Sequence, residues 1–269
     1  MKIKLGFSTC PNDTFMFDAL VHGRIDTNRF SFDLELADIF HLNQMAMAQT
    51  PDLVKVSYST YFQVKDQYQL LDAGSALGHD CGPLLISKDS YSLSDLIEQN
   101  LPVAIPGYNT TANLLLSYFA PHLQNRKAYL FHEIMPAILS GEVAAGVIIH
   151  ENRFTYQQQG LQLIQDLGVH WEHETKLPIP LGAIIAKRSL GPKVIEQLGK
   201  LMHDSVAYAF AHPEQSMPFV REHAQEMEDS VMKAHINLYV NEYSLSLGEQ
   251  GRAAVELLMK TRQEMESIV

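Results

Sequence analysis

No apolar run in the chain approaches the roughly eighteen residues that a membrane-crossing helix needs, so no membrane span is expected. Cysteine is scarce: only Cys10 and Cys81 occur. Neither a structural disulfide nor a zinc site is implied, because no Cys/His spacing of the metal type accompanies them. Each is read as a small, partly buried, reduced thiol. Basic clusters are missing too. Lys and Arg total 20 against 31 Asp and Glu, a net charge of −11, with no local run of positive charge. Phosphate-backbone binding needs a basic stripe, so nucleic acid is not an expected partner. An anionic ligand would have to be held by local donors against an unfavourable overall field. The Gly-x-Gly-x-x-Gly, Gly-x-Ser-x-Gly and His-Glu-x-x-His patterns are absent. His170-Trp171-Glu172-His173 hints at metal, but such a pair needs a helix and further ligands, and Pro178 and Pro180 follow closely; no metal is expected. The first eight residues are too short and polar for a signal peptide and read as a first strand. A cytoplasmic location is expected unless the chain is a processed mature form.

What is present is an ordinary globular composition, 46% hydrophobic and 19% charged over 269 residues. That length suits one large domain or two modest ones. Strand-like and helix-like segments alternate, which argues an α/β fold. Strands are expected at 2–7, 32–36, 53–57, 84–87, 102–107, 143–149, 161–167 and 180–187. Helices are expected at 13–22, 39–49, 59–67, 94–98, 110–119 and 134–140, with Asn12 or Asp13 capping the first and Gly23 ending it. Three or four helices fill the stretch after Pro192. The segments 82–90 and 181–189 resemble one another: each is a short apolar strand closing on a small residue, Lys, a charge and Ser. They are read as paired crossovers of a two-lobed molecule, one lobe 1–86 plus 187–269 and the other, 87–186, inserted into it. The ligand would lie in the cleft between them.

The most informative stretch is Gly146-Val147-Ile148-Ile149-His150-Glu151-Asn152-Arg153-Phe154-Thr155-Tyr156. A continuous apolar run, the mark of a strand buried on both faces, stops abruptly at a histidine. Ligands of open α/β sheets sit outside the carboxyl ends of such strands. Histidine, with an unperturbed pKa of about 6.5, accepts a proton near neutral pH, so His150 is the candidate base. Three other segments offer donors. Ser8 to Thr14, including Ser8 and Asn12, lies between the first strand and helix. Lys55-Val56-Ser57 ends another strand, where Ser57 would offer a hydroxyl or backbone N–H to an anion. Gly107-Tyr108-Asn109-Thr110-Thr111-Ala112 opens a helix, whose unpaired N–H groups and partial positive charge bind carboxylates. Pro106-Gly107 before it lets the backbone approach a ligand closely.

Those residues carry a resemblance. Ser8-x-Cys10-Pro11-Asn12-Asp13-Thr14-Phe15, Lys55-Val56-Ser57-Tyr58, Gly107 to Ala112, Gly146 to Tyr156, and Leu177-Pro178-Ile179-Pro180-Leu181-Gly182-Ala183-Ile184 occur in one order over essentially the whole chain. So do Ala207-Tyr208-Ala209 and Ala211-His212-Pro213-Glu214. Together the segments resemble the 1,4-dihydroxy-6-naphthoate synthases of the futalosine route to menaquinone. The resemblance implies a fold like the periplasmic binding proteins of type II, with a central cleft. It implies a lyase that cleaves cyclic dehypoxanthine futalosine, a small-molecule carboxylate, to 1,4-dihydroxy-6-naphthoate and dihydroxyacetone without a cofactor. His150 matches the family's proton acceptor, and Lys55, Val56, Ser57, Thr110 and Thr111 match its substrate-binding segments, Val56 through its backbone. Asn109, Arg153 and Tyr156 are weaker candidates for orienting the substrate. Two rivals remain: the chorismate dehydratase of the same pathway, and a solute-binding protein with no catalysis.

Overall fold

The computed structural model describes residues 1–150, 152–224 and 228–267; Glu151, which directly follows the base candidate His150, lies outside them. Eleven strands are present among the described residues: β1 (Lys2–Phe7), β2 (Ser31–Leu36), β3 (Leu53–Ser57), β4 (Tyr68–Leu70), β5 (Ala76–Gly78), β6 (Leu84–Ser87), β7 (Val103–Ile105), β8 (Arg126–Ala128), β9 (Ala145–Ile148), β10 (Gln162–Asp166) and β11 (Ile179–Lys187). They form two sheets. One has the order β2-β1-β3-β11-β4, with β5 also paired to β11; the other has the order β10-β6-β9-β7-β8. The chain passes between the sheets after β5 and again after β10. β6 pairs wholly within the five-stranded sheet and β11 wholly within the six-stranded one. As units that move against one another, lobes of 1–86 plus 187–269 and 87–186 remain a proposal.

The central strands explain themselves. β3 is buried at all five positions and β9 at all four, as expected of strands covered on both faces. β3 lies parallel to β1 and antiparallel to β11, with Ser57 opposite Gly182 and Lys55 opposite Ile184. β9 lies parallel to β7 and antiparallel to β6. Consequently β1, β3, β7 and β9 all deliver their carboxyl ends toward the space between the sheets. A core of Phe7, Phe15, Phe17, Met202 and Val206 backs the first sheet, and Ile134, Ile138, Ile148 and Tyr156 back the second.

Several elements were not foreseen. β4, β5 and β8 have three residues each, too few to show a period, and β8 reads Arg-Lys-Ala. The helix Leu167–Thr175 takes up the His170-to-His173 stretch and part of the strand expected to 167. On it His170 packs on Tyr118 and Phe119 while Glu172 takes His79, so the side chains diverge. Five helices follow Pro192 among the described residues, the additional one being the single turn Glu242–Leu245. No helix of the described residues is long and apolar enough to cross a membrane.

Candidate active site

The first helix begins earlier than expected. Pro11 occupies its first turn, with φ preset for the helix, and Cys10 is the N-cap without a side-chain capping bond to the helix. Asn12 and Asp13 therefore do not cap; they lie inside the helix and line a cavity between the sheets. Asp13 is the hub of that wall. Its Oδ2 accepts from Ser8 Oγ at 2.6 Å, and its Oδ1 accepts from Asn12 Nδ2 at 2.8 Å. Oδ1 also pairs with Lys55 Nζ at 3.0 Å, both side chains being almost fully buried. Lys55 Nζ donates further to the Gly74 carbonyl at 3.3 Å. The ammonium can lie there because Gly182, across the strand pair, has no side chain: a Cβ would sit 2.7 Å from Lys55 Cε.

His150 follows β9 and adopts φ +58°, a left-handed conformation that is costly for a residue with a Cβ. Its ring is fixed edge-to-face against Phe131, centroids 4.9 Å apart, and stacked on His235 at 6.1 Å and 13°. Its Nε2 is buried with no hydrogen-bond partner among the described residues, in the wall of the same cavity. An unsatisfied buried nitrogen costs free energy unless a ligand or reaction uses it. His235 is fully buried, and its Nε2 donates to Asn12 Oδ1 at 2.9 Å. Burial first, then the charges of His150 and Lys55, holds His235 well below the usual histidine range. Cys81 also lines the cavity; burial, helped by the charge of Glu172, pushes its thiol up to about 12, so it stays protonated.

Of the residues singled out in the sequence, Ser8, Asn12, Lys55, Ser57, Thr110, Thr111 and His150 come together around this cavity of about 80 Å³. Their hydrogen bonds assign them different uses. The Ser57 N–H is taken by Asn43 Oδ1 at 2.9 Å, so what Ser57 offers is its hydroxyl. Thr110 spends its side chain as N-cap of the helix Thr111–Phe119: Oγ1 donates to the Gly107 carbonyl at 2.7 Å and accepts from Asn113 N. Thr111 Oγ1 donates to the Leu181 carbonyl at 2.9 Å and accepts from Ser59 N, tying the sheets together. The first backbone N–H groups of that helix are what remains for an anion. Gly107 holds φ +117°, and a Cβ there would strike Phe40 Cδ2 at 2.8 Å.

Other candidates stand away from the cavity. Val56 packs in the core. Asn109 bridges to Thr60 and Gln63 across the sheets. Arg153 donates to the Gly82 carbonyl and pairs with Asp166 at 2.8 Å, and Tyr156 is buried behind the second sheet. The cavity's other lining residues include Ile39, Leu181 and Tyr239, and the second histidine lies directly behind His150. Nothing local announces these: His235 meets Asn12 across 223 residues of chain.

The chain matches the family model for menaquinone biosynthesis over residues 3–264. It is 45% identical over 256 residues to a 1,4-dihydroxy-6-naphthoate synthase of Thermus thermophilus, covering 95% of this chain and 92% of that one. A protein of the same name from Streptomyces coelicolor is 45% identical over 272 residues, covering 99% and 94%. A crystal structure of an Archaeoglobus fulgidus protein superposes with a TM-score of 0.92 at 30% identity, covering 100% of this chain and 98% of that one. A Candida albicans product with the generic periplasmic binding protein fold superposes at 0.68 with 10% identity, covering 98% and 95%, a likeness of fold alone.

Proposed function

This chain belongs to the menaquinone biosynthesis family, and from that premise we propose that it is a cytoplasmic lyase cleaving cyclic dehypoxanthine futalosine to 1,4-dihydroxy-6-naphthoate and dihydroxyacetone. One observation carries the reading: a histidine at a strand's carboxyl end, in a left-handed backbone conformation, with an unpartnered buried Nε2 in a cavity ringed by donors.

In this reading His150 Nε2 takes a hydroxyl proton from the sugar-derived part of the substrate. The electrons left on that oxygen form a carbonyl, and the adjacent C–C bond breaks in the retro-aldol sense. The bonding pair passes into the ring system, whose aromatisation supplies driving force. Negative charge moving away from the proton-donating hydroxyl needs preorganised donors. Ser57 Oγ, the Lys55 ammonium and the N–H groups that open the helix Thr111–Phe119 line the cavity for that task. The aryl carboxylate is assigned to that helix start, with Ser57 holding it or a neighbouring oxygen.

The test is turnover of cyclic dehypoxanthine futalosine by the wild-type chain and by His150→Asn, with naphthoate followed by absorbance and chromatography. Asparagine tolerates the left-handed backbone better than alanine does, so the substitution removes the base with less strain. Product from the wild type and a drop of about 10²- to 10⁴-fold in kcat for the variant are expected for a lost general base. Equal rates remove His150 from its role. Binding without product in the wild type returns the chain to a solute-binding reading, and turnover of chorismate instead identifies the dehydratase.

A further inference from the structure

Asn43 is a polar residue, 2% exposed, on the buried face of the helix Ile39–Met47. Both its side-chain bonds go to one residue. Ser57 N donates to Asn43 Oδ1 at 2.9 Å, and Asn43 Nδ2 donates to Ser57 Oγ at 3.1 Å. The orientation of this amide is not a free choice. A backbone N–H only donates, so the amide oxygen must face it, and the NH₂ group must then face the hydroxyl. Ser57 Oγ is an acceptor in this pair, and its own proton has to be given elsewhere. Ser57 is the N-cap of the helix Tyr58–Val64, yet its side chain makes no cap bond. No acceptor among the described residues takes the proton. Ser57 lines the same cavity as His150.

We propose that Asn43 is a positioning residue that sets Ser57 to donate its hydroxyl proton to the negatively charged group of the substrate. A hydroxyl left to itself turns to donate or accept as its partner requires. The amide NH₂ already occupies one lone pair of the hydroxyl and no protein acceptor among the described residues takes its proton, so this point of the cavity favours an acceptor, most strongly a carboxylate or a developing oxyanion, over a group that can only donate. The inference rests on the functional reading above.

The test is a double-mutant cycle of Asn43→Asp and Ser57→Ala, read in KM and kcat with cyclic dehypoxanthine futalosine and in the affinity for 1,4-dihydroxy-6-naphthoate by calorimetry. Aspartate keeps the shape of asparagine but only accepts. It takes both the Ser57 N–H and the Ser57 hydroxyl proton, and so withdraws the donor from the cavity. In the wild-type background N43D should raise KM and the naphthoate Kd about tenfold, the scale of one hydrogen bond to a charged group, with a smaller change in kcat. S57A should do the same, and the double variant should be no worse than S57A alone. Effects that multiply would mean that the new charge acts directly on the ligand, and would overturn the inference; so would a KM within twofold of wild type. A purely structural role would lower the melting temperature and the active fraction without moving KM. Should N43D not fold, Asn43→Ser is the uncharged substitute, with a smaller KM increase that again vanishes in the S57A background. A wild type that binds naphthoate but does not turn over the substrate overturns the functional reading while the affinities still judge Asn43. A wild type that does neither overturns both.

Discussion

His235 shows how far one side chain's state is dictated by its neighbours. Asp13, paired with Lys55, only accepts, so Asn12 must turn its NH₂ to Asp13 and its oxygen to His235. His235 Nε2 then has to carry the proton. Its folded pKa is depressed, whereas in the unfolded chain it titrates near about 6.5. Below that pH the unfolded chain binds a proton that the folded chain refuses. The contribution to stability is therefore present above about pH 6.5 and is lost as pH falls toward the folded pKa, at about 1.4 kcal/mol per unit of pKa difference. Melting temperatures of the wild type should decline between about pH 6.5 and 5. Those of His235→Gln should decline less steeply over that window, the other histidines being common to both. Parallel slopes for the two proteins would refute this account.

Helix starts decide which polar side chains reach the cavity. At Pro11 the ring supplies the first-turn φ, and no capping side chain is used, which releases Asn12 and Asp13 inward. At Thr110 the reverse holds: the hydroxyl is consumed by the cap. Thr110→Ala should cost about 1 kcal/mol of stability in urea unfolding, and Thr110→Ser should retain most of it. KM should change little in the serine variant. A KM increase for Thr110→Ala as large as that for Ser57→Ala, without loss of stability, would instead put the hydroxyl on the substrate. The helix Ile39–Met47 was legible in the sequence, but which of its residues face inward was not: those buried are Leu42, Asn43 and Ala46. A polar residue in the middle of a buried stripe was the signal available there.

At the scale of the molecule the cavity is narrow. About 80 Å³ is well below the ~300–1,000 Å³ of ordinary ligand sites. Thr111 on Leu181, and Thr60 and Gln63 on Asn109, tie the two sheets together beside it. The proposed substrate, with its ring system and sugar-derived part, exceeds that space, and a parting of the sheets would admit it. Small-angle scattering should give a larger radius of gyration for the ligand-free chain than for the chain saturated with naphthoate. An identical radius in both states would mean that entry is by local movement of a few side chains.

Much of this was legible in the chain alone, and the reason is locality. Strand ends, helix periods and Pro or Gly punctuation depend on residues a few positions apart, so the buried run halted by His150, the strand ending at Ser57 and the helix opening at Thr111 could be read directly. The order of these segments along the chain carried the family. What only the tertiary structure decided was how each polar group spends its hydrogen bonds. Arg153 satisfies Asp166, Tyr156 fills the core and Asn109 joins the sheets, although all three were plausible ligand contacts by sequence. Asn43 and His235 reach Ser57 and Asn12 across 14 and 223 residues. Such pairings are set by how distant helices and strands pack, and for Asn109 by the meeting of the two sheets, and neither exists until the chain has folded.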